Sequence, residues 1–148
     1  MRTAAPLELG VELKKLAIFN DLPRQQFGDV LSRCQLLRVD RDKPIVQQGE
    51  AATGVPVLLQ GLTKMLLDRV LIEVCRGPAL PLLAGTLEGT PSPVALVAMR
   101  SCDVAIIDRN VLLTAVQGNP PSAQQLIELC TRESRSFLAR VPELVGGS

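Results

Sequence analysis

The stretch that decides the fold is residues 55–78, VPVLLQGLTKMLLDRVLIEVCRGP. Short runs of Val, Leu and Ile alternate here with turn-forming residues at Gly61, at Asp68-Arg69 and at Arg76-Gly77-Pro78. Apolar runs of this length, bounded by Gly, Asp and Pro, are typical of β-strands joined by tight turns. The stretch therefore predicts consecutive antiparallel strands.

The same pattern extends in both directions and covers about residues 36–107. Turn chemistry occurs at residues 41–44 and 48–50, and strand patterns return at residues 94–99 and 102–107. Regular spacing of short strands indicates an antiparallel β-sandwich or β-roll of the jelly-roll kind. One segment inside this region differs, because four prolines lie between residues 78 and 93. Proline cannot donate to a strand ladder, so this segment is not predicted as a central strand.

Helices are predicted on both sides of the strands. Apolar residues recur at helical spacing in residues 7–34, with a break at Leu22-Pro23, which indicates two short helices. We therefore expect residues 1–148 to form a single, mainly β domain with flanking helices at about 7–34, a β-roll at about 36–107 and C-terminal helices at about 109–141. A chain of 148 residues is long enough to bury roughly 70% of its unfolded surface.

Capping residues predict where the C-terminal helices begin and end. Asp108 is expected to cap a helix that ends at residues 118–121, Gly-Asn-Pro-Pro, and Ser122 is expected to cap the last helix. That helix should span Ala123–Val141 and stop before Pro142.

The last helix has two candidate apolar faces. One row contains Leu126, Leu129, Glu133 and Phe137. The second row gives the predicted dimer or partner face: Ile127, Cys130, Ser134, Phe137 and Val141. Two usable faces would let the helix pack on its own domain and on a second copy or another protein. The alternative is one broad apolar stripe on the β-layer, with a solvated face formed by Arg132, Glu133 and Arg135.

Composition excludes several functions. The chain contains no His, so a Ser-His-Asp triad and a His-ligated metal or haem are impossible within it. Trp and Tyr are also absent, and the net charge is +1, which does not favour nucleic-acid binding. The aspartates lie in turns and at a strand end beside arginines, where surface ion pairs are expected, so no catalytic residue and no enzymatic activity is predicted.

The four cysteines are widely separated, at positions 34, 75, 102 and 130. No C-x-x-C pair is present, so we expect buried reduced thiols and neither a metal site nor a cofactor. No secretory leader is visible, and the apolar runs are too short for a membrane span. These observations together predict a cytoplasmic protein that does not bind a membrane.

Three stretches resemble the cyclic nucleotide-binding domain of the cyclic-AMP receptor protein and fumarate-nitrate regulator family of bacterial regulators. They are residues 16–22 (LAIFNDL), residues 46–50 (VQQGE) with Gly61 eleven residues after Glu50, and residues 101–109 (SCDVAIIDR) leading into Gly118-Asn119-Pro120. The likeness runs from about residue 13 to residue 137. It implies a β-roll with a long C-terminal helix that takes part in signal transduction.

The resemblance also implies where a ligand would lie. In the family, a phosphate-binding cassette resembling G-E-x-x-L, followed by R-S/T-A, holds the ribose with a glutamate and the cyclic phosphate with an arginine. We align the family motif to this sequence without gaps, counting back from residue 102. The glycine and glutamate of the motif then fall on Pro81 and Leu82, next to Leu83. The arginine, hydroxyl residue and alanine fall on Ser92, Pro93 and Val94. None of these positions has the required polar anchor. We therefore expect a degenerate cyclic nucleotide site, unless Arg76 or Arg100 reaches it from another direction.

Two arrangements are compatible with the apolar residues of this segment. Leu80, Leu82, Leu83, Leu87 and Val94 could line a pocket for a lipophilic effector, or they could fill a collapsed core, which close packing favours. The first functional hypothesis is thus a non-enzymatic regulatory or protein-interaction module. The second is the effector domain of a bacterial signalling protein or transcription regulator that binds a cyclic nucleotide or a lipophilic molecule. The chain ends soon after the last helix, so we expect no DNA-binding domain.

Overall fold

Two four-stranded antiparallel sheets form the centre of the molecule. The computed structural model describes the backbone of residues 2–3 and 9–146 and the side chains of residues 9–135. Within these residues the strands are β1 (Arg2–Thr3), β2 (Cys34–Val39), β3 (Pro44–Val46), β4 (Val55–Gln60), β5 (Leu62–Leu67), β6 (Val70–Arg76), β7 (Ala95–Ala98) and β8 (Cys102–Ile107). One sheet has the order β1-β2-β8-β4 and the other the order β3-β7-β5-β6.

Strand β8 shows why the sequence folds into this roll. It lies between β2 and β4, and five of its six residues are buried, so its continuous apolar pattern matches a strand covered on both faces. Its one buried carboxylate, Asp103, forms an ion pair with Arg38, whose Nε lies 3.0 Å from Oδ1. The prediction of a mainly β fold with flanking helices, built as an antiparallel β-roll, is confirmed.

Six helices surround the described strands: α1 (Leu9–Leu13), α2 (Ala17–Asn20), α3 (Arg24–Ser32), α4 (Leu83–Glu88), α5 (Arg109–Gln117) and α6 (Pro120–Gly146). Three of them precede β2, where the sequence predicted two, because the chain becomes extended at Leu16 as well as turning at Pro23. The proline-rich segment forms the short helix α4, as its lack of strand character requires.

The largest core cluster joins the helices to the first sheet. Phe19 of α2, Val57 of β4 and Leu112 of α5 are fully buried in it. Leu126 and Leu129 of α6 pack against the same cluster. Because α6 also contacts α4, this packing places the long helix beside the proline-rich segment.

The capping predictions are partly confirmed. Asp108 Oδ1 accepts hydrogen bonds from the backbone N–H groups of Asn110 and Val111, both at 3.0 Å, and α5 ends at Gly118 as expected. The prediction that Ser122 caps the last helix is wrong. Its buried hydroxyl donates instead to the carbonyl of Ile18 at 2.9 Å and so ties α6 to α2.

The bounds of the last helix also differ from the prediction at both ends. It begins at Pro120, three residues earlier, because proline fits the first turn, where a missing N–H breaks no helical hydrogen bond. It continues past Pro142 to Gly146. Proline removes one hydrogen bond at that point without ending the helix. None of the helices in the described part of the chain is both long and apolar enough to cross a bilayer.

Gly61 provides a test of the turn between β4 and β5. Its φ is +120°, and a Cβ atom placed there would lie 2.6 Å from Cys102 Sγ and 2.9 Å from Cys102 Cα. We expect Gly61→Ala to lower the free energy of unfolding by about 2–4 kcal/mol in urea denaturation, because strain and overlap add.

The matched control is Gly28→Ala in α3, where a Cβ atom meets nothing within 4 Å. This change should stabilise the protein by about 0.5–1 kcal/mol, since alanine loses less backbone entropy in a helix than glycine. Equal stability changes in the two variants would contradict the positive φ and the close contact with Cys102 at Gly61.

Candidate functional site

A cavity of about 310 Å³ lies where the β5–β6 hairpin, α4, the segment after α4 and α6 meet. Most of its surface is apolar. It is lined by Ala52, Met65, Ile72, Glu73, Leu82, Gly85, Thr86, Thr90, Ser92, Pro93, Val94, Glu133 and Ser134. A cavity of this size is at the lower end of the range of about 300–1,000 Å³ that small-molecule sites occupy.

The structure brings together four of the six predicted cassette positions. Leu82, Ser92, Pro93 and Val94 all line the cavity. Pro81 and Leu83 do not line it, and Leu83 is buried in the main core instead.

The apolar residues of the segment divide between the two structures that the sequence left open. Leu80, Leu83 and Leu87 pack in the main core, which agrees with collapse. Leu82 and Val94 belong to a second cluster on the other side and line the cavity. The expectation of a fully collapsed segment is therefore wrong. The six residues of α4 do not present the same side chains to both core clusters.

The charged groups of the cavity are carboxylates. Glu73 enters from β6 and Glu133 from α6, and no Lys or Arg occurs among the lining residues that the structure describes. Arg76 and Arg100, the two suggested substitutes for a phosphate-binding arginine, are exposed and do not line it. Arg109 lies outside the lining, where its guanidinium donates to the carbonyls of Thr86 at 3.0 Å and Ala52 at 2.7 Å.

Glu133 holds the first turn of α4. Its Oε1 accepts from the N–H of Leu83 at 2.6 Å, and its Oε2 accepts from the N–H of Ala84 at 3.0 Å. Leu82, at the N-cap position, has a left-handed backbone and offers no side-chain cap. A carboxylate from a distant helix therefore satisfies the amides that a local Ser or Asp usually satisfies.

Burial raises the pKa of Glu133 above its ordinary value, and the nearby carboxylate of Glu73 adds to the rise. The hydrogen bonds from Ala84 and Leu83 act in the opposite direction. The alternative in which Glu133 belongs to a solvated face is wrong for this residue, which is half-buried. A signal was present in the sequence, because Glu133 continues the apolar row that begins with Leu126 and Leu129.

Three of the cavity's hydroxyl groups, those of Thr86, Thr90 and Ser92, donate to backbone carbonyls. Thr86 Oγ1 donates to the carbonyl of Leu82 at 2.8 Å, and Ser92 Oγ donates to the carbonyl of Val94 at 2.7 Å. Thr90 makes a longer contact of 3.5 Å with the carbonyl of Gly85. These side chains therefore present acceptor oxygens to a ligand.

The predicted partner row on α6 does not form a uniform face. Ile127 is 67% exposed, Cys130 packs partly against the core, and Ser134 is exposed at the edge of the cavity. Phe137 and Val141 lie outside the residues whose side chains the structure describes.

The cysteines are free, as predicted, although only Cys102 is fully buried. Burial raises the pKa of every cysteine thiol, and that of Cys34 reaches about 11, so these thiols stay protonated at neutral pH. Among the described residues, no three Cys, Asp or Glu side chains gather as metal ligands would.

Similarity to solved structures identifies the fold. The sensor domain of the transcriptional regulator DNR from Pseudomonas aeruginosa superposes with a TM-score of 0.73 at 24% identity, over 83% of this chain and 91% of that one. A cyclic nucleotide-binding domain from Methylobacillus flagellatus superposes with a TM-score of 0.66 at 18% identity, over 90% of this chain and 84% of that one. The chain has the fold of a cyclic nucleotide-binding domain.

This cyclic nucleotide-binding fold also occurs within longer proteins. The longer structure of DNR has a TM-score of 0.70 at 19% identity, with 95% of this chain covered. The chain spans 65% of that structure. No protein-family model and no curated protein matches the sequence significantly.

The raised pKa of Glu133 gives a pH-dependent prediction. Because the folded protein binds this proton more tightly than the unfolded chain, folding is favoured when the group is protonated. The stability of the protein relative to Glu133→Gln should therefore fall as the pH rises from the ordinary value of 4.5 through the raised folded value, and be constant above it.

The measurement is urea denaturation of both proteins across this pH range. Asp42→Asn, on the exposed turn after β2, is the control for removing one carboxylate at a site remote from α4 and α6. A relative stability that rises with pH would contradict the desolvated environment of Glu133.

Proposed function

We propose that this chain is a non-enzymatic regulatory module with a cyclic nucleotide-binding-like fold that has lost the anchors for a cyclic nucleotide. The observation that supports the proposal is a ligand cavity with two carboxylates and no basic side chain among its described lining residues. A cyclic phosphate placed there would be near Glu73 and Glu133, and none of the described lining residues would supply it with a cation.

The missing anchors have a measurable energetic cost. Pro81, Leu82, Ser92, Pro93 and Val94 occupy the positions that the resemblance assigns to the glycine, glutamate, arginine, hydroxyl residue and alanine of the cassette. The absence of an arginine–phosphate hydrogen bond alone removes about 1.5–3 kcal/mol of binding free energy. The amides of Leu83 and Ala84 are unavailable to an anion as well, because Glu133 already accepts from both.

Calorimetry with cyclic AMP, cyclic GMP and cyclic di-GMP tests this proposal. At about 100 μM of each nucleotide we expect no binding heat above that of dilution, since the phosphate would meet two carboxylates and no cation among the lining residues that the structure describes. Adenosine, which lacks the phosphate, is the control for binding through the base alone. Micromolar affinity for either cyclic mononucleotide would contradict the proposal.

A second candidate function is an effector-sensing domain for a lipophilic molecule. The cavity itself favours it, because about 310 Å³ of mostly apolar space remains beside Met65, Leu82 and Val94. Enclosed apolar cavities with a few convergent polar groups are the usual form of small-molecule sites. In this function α6 transmits the signal that a ligand occupies the cavity, because Glu133 and Ser134 of that helix line the cavity.

We also propose that α6 pairs with a second copy or with a protein partner through the face that contains Ile127. This side chain is 67% exposed, whereas Leu126 and Leu129 of the same helix pack against the main core. A near-neutral chain of net charge +1 gives no basis for nucleic-acid binding. A cytoplasmic location and a bacterial origin stay predictions.

Light scattering at two concentrations, up to about 100 μM, tests the pairing. We expect a dimer for the natural sequence and a monomer for Ile127→Glu, because a carboxylate on the paired face would be desolvated. Val11→Glu is the matched control, since Val11 is 56% exposed on the separate helix α1. A monomer at the higher concentration in the natural sequence would contradict self-association.

A further inference from the structure

The polar lining of the cavity consists mainly of hydrogen-bond acceptors. The two charged groups among its described lining residues, Glu73 and Glu133, are carboxylates, and the hydroxyls of Thr86 and Ser92 donate to backbone carbonyls. The two backbone amides at the start of α4 donate to Glu133. An incoming ligand therefore finds the carboxylate oxygens of Glu73 and Glu133, while the donors of Thr86, Ser92 and the two amides are already engaged.

Glu133 can accept further hydrogen bonds. An ionised carboxylate has about four lone-pair sites, and the amides of Leu83 and Ala84 occupy one on each oxygen. The remaining sites are available to a donor inside the cavity. Glu73 approaches from the opposite element, β6, where the pairing with β5 shifts register and lets both Ile72 and Glu73 line the cavity.

Two carboxylates in a mostly apolar cavity favour a cation. Burial disfavours the charged form of Glu133, and Glu73 disfavours it further by repulsion. A positive charge between them would offset both effects, whereas an anion would add to them. A structural zinc or calcium ion is a poor occupant, because the described lining supplies two carboxylates, fewer protein ligands than such sites use.

We propose that the cavity binds a small amphiphile whose protonated amine lies between Glu73 and Glu133 and whose apolar body lies against Met65, Leu82 and Val94. This proposal rests on the effector-sensing function given above and names the chemical class of the effector. The carboxylates determine the head group, and the volume of about 310 Å³ limits the size of the body.

Three probes of equal chain length separate the contribution of charge from that of the apolar body: n-octylammonium, n-octan-1-ol and n-octanoate. Affinities are measured by calorimetry and ligand-observed NMR at up to about 1 mM. We expect octylammonium to bind about tenfold more tightly than octanol, the size of effect expected for one charge-assisted hydrogen bond, and octanoate to bind more weakly than both.

Substitutions of Glu73 and Glu133 test whether the probes bind in this cavity and whether these carboxylates cause the preference for octylammonium. Glu73→Gln should reduce the ratio of octylammonium to octanol affinity by about threefold or more while leaving the affinity for octanol unchanged. Glu133→Gln should act in the same direction, although it also removes one acceptor from the start of α4.

A cavity-blocking variant and its control complete the design. Gly85→Leu should abolish binding of all three probes, because Gly85 lines the cavity and a Cβ atom there meets nothing nearer than Thr90 Oγ1 at 4.0 Å. Gly28→Leu, at an exposed position of α3, should leave binding unchanged.

The outcomes distinguish this proposal from the functions on which it rests. Equal affinity for octylammonium and octanol would overturn the cationic class and leave the lipophilic-effector function standing. Binding of no probe would overturn both and leave the degenerate regulatory module standing. Preference for octanoate, or unchanged binding to Gly85→Leu, would overturn the site proposed here.

Discussion

The cavity and the last helix both depend on one contact, the carboxylate of Glu133 across the first two amides of α4. A six-residue helix is far below the length at which helices are stable alone, so α4 needs a partner for its unpaired amides. That partner comes from α6, fifty residues further along the chain. The shape of the cavity is therefore coupled to the position of the long helix.

The same contact bears on the proposed loss of cyclic nucleotide binding. The amides at the start of a helix are suited to an anion, and here a side chain of the protein already accepts their hydrogen bonds. Glu73 adds a second negative group, and Arg109, the nearby cation, donates to the carbonyls of Ala52 and Thr86. A shared fold does not carry a shared ligand, because the ligand is selected by the few polar groups that line the site.

Sequence reasoning succeeded where local pattern determines structure. The run 102–107 coincides with β8, and Asp108 caps α5, because a short apolar run and a capping side chain act within a few residues. It failed for Ser122 and Glu133, whose partners Ile18 and Leu83 are remote in the chain. The cassette positions were recognised only through family resemblance. Four of them line the cavity, and its existence depends on the packing of Leu82 in a different core cluster from Leu83 and Leu87.

Helix geometry also connects the cavity to the proposed partner face. Ile127 and Ser134 are seven residues apart, about two helical turns, so they share one side of α6. Ile127 is exposed, and Ser134 is exposed at the edge of the cavity. A partner helix that covers Ile127 and continues along this side would also cover the cavity beside Ser134. An occupant of the cavity and a protein bound to α6 would then contact the same helix from adjacent positions, so each would change the binding free energy of the other.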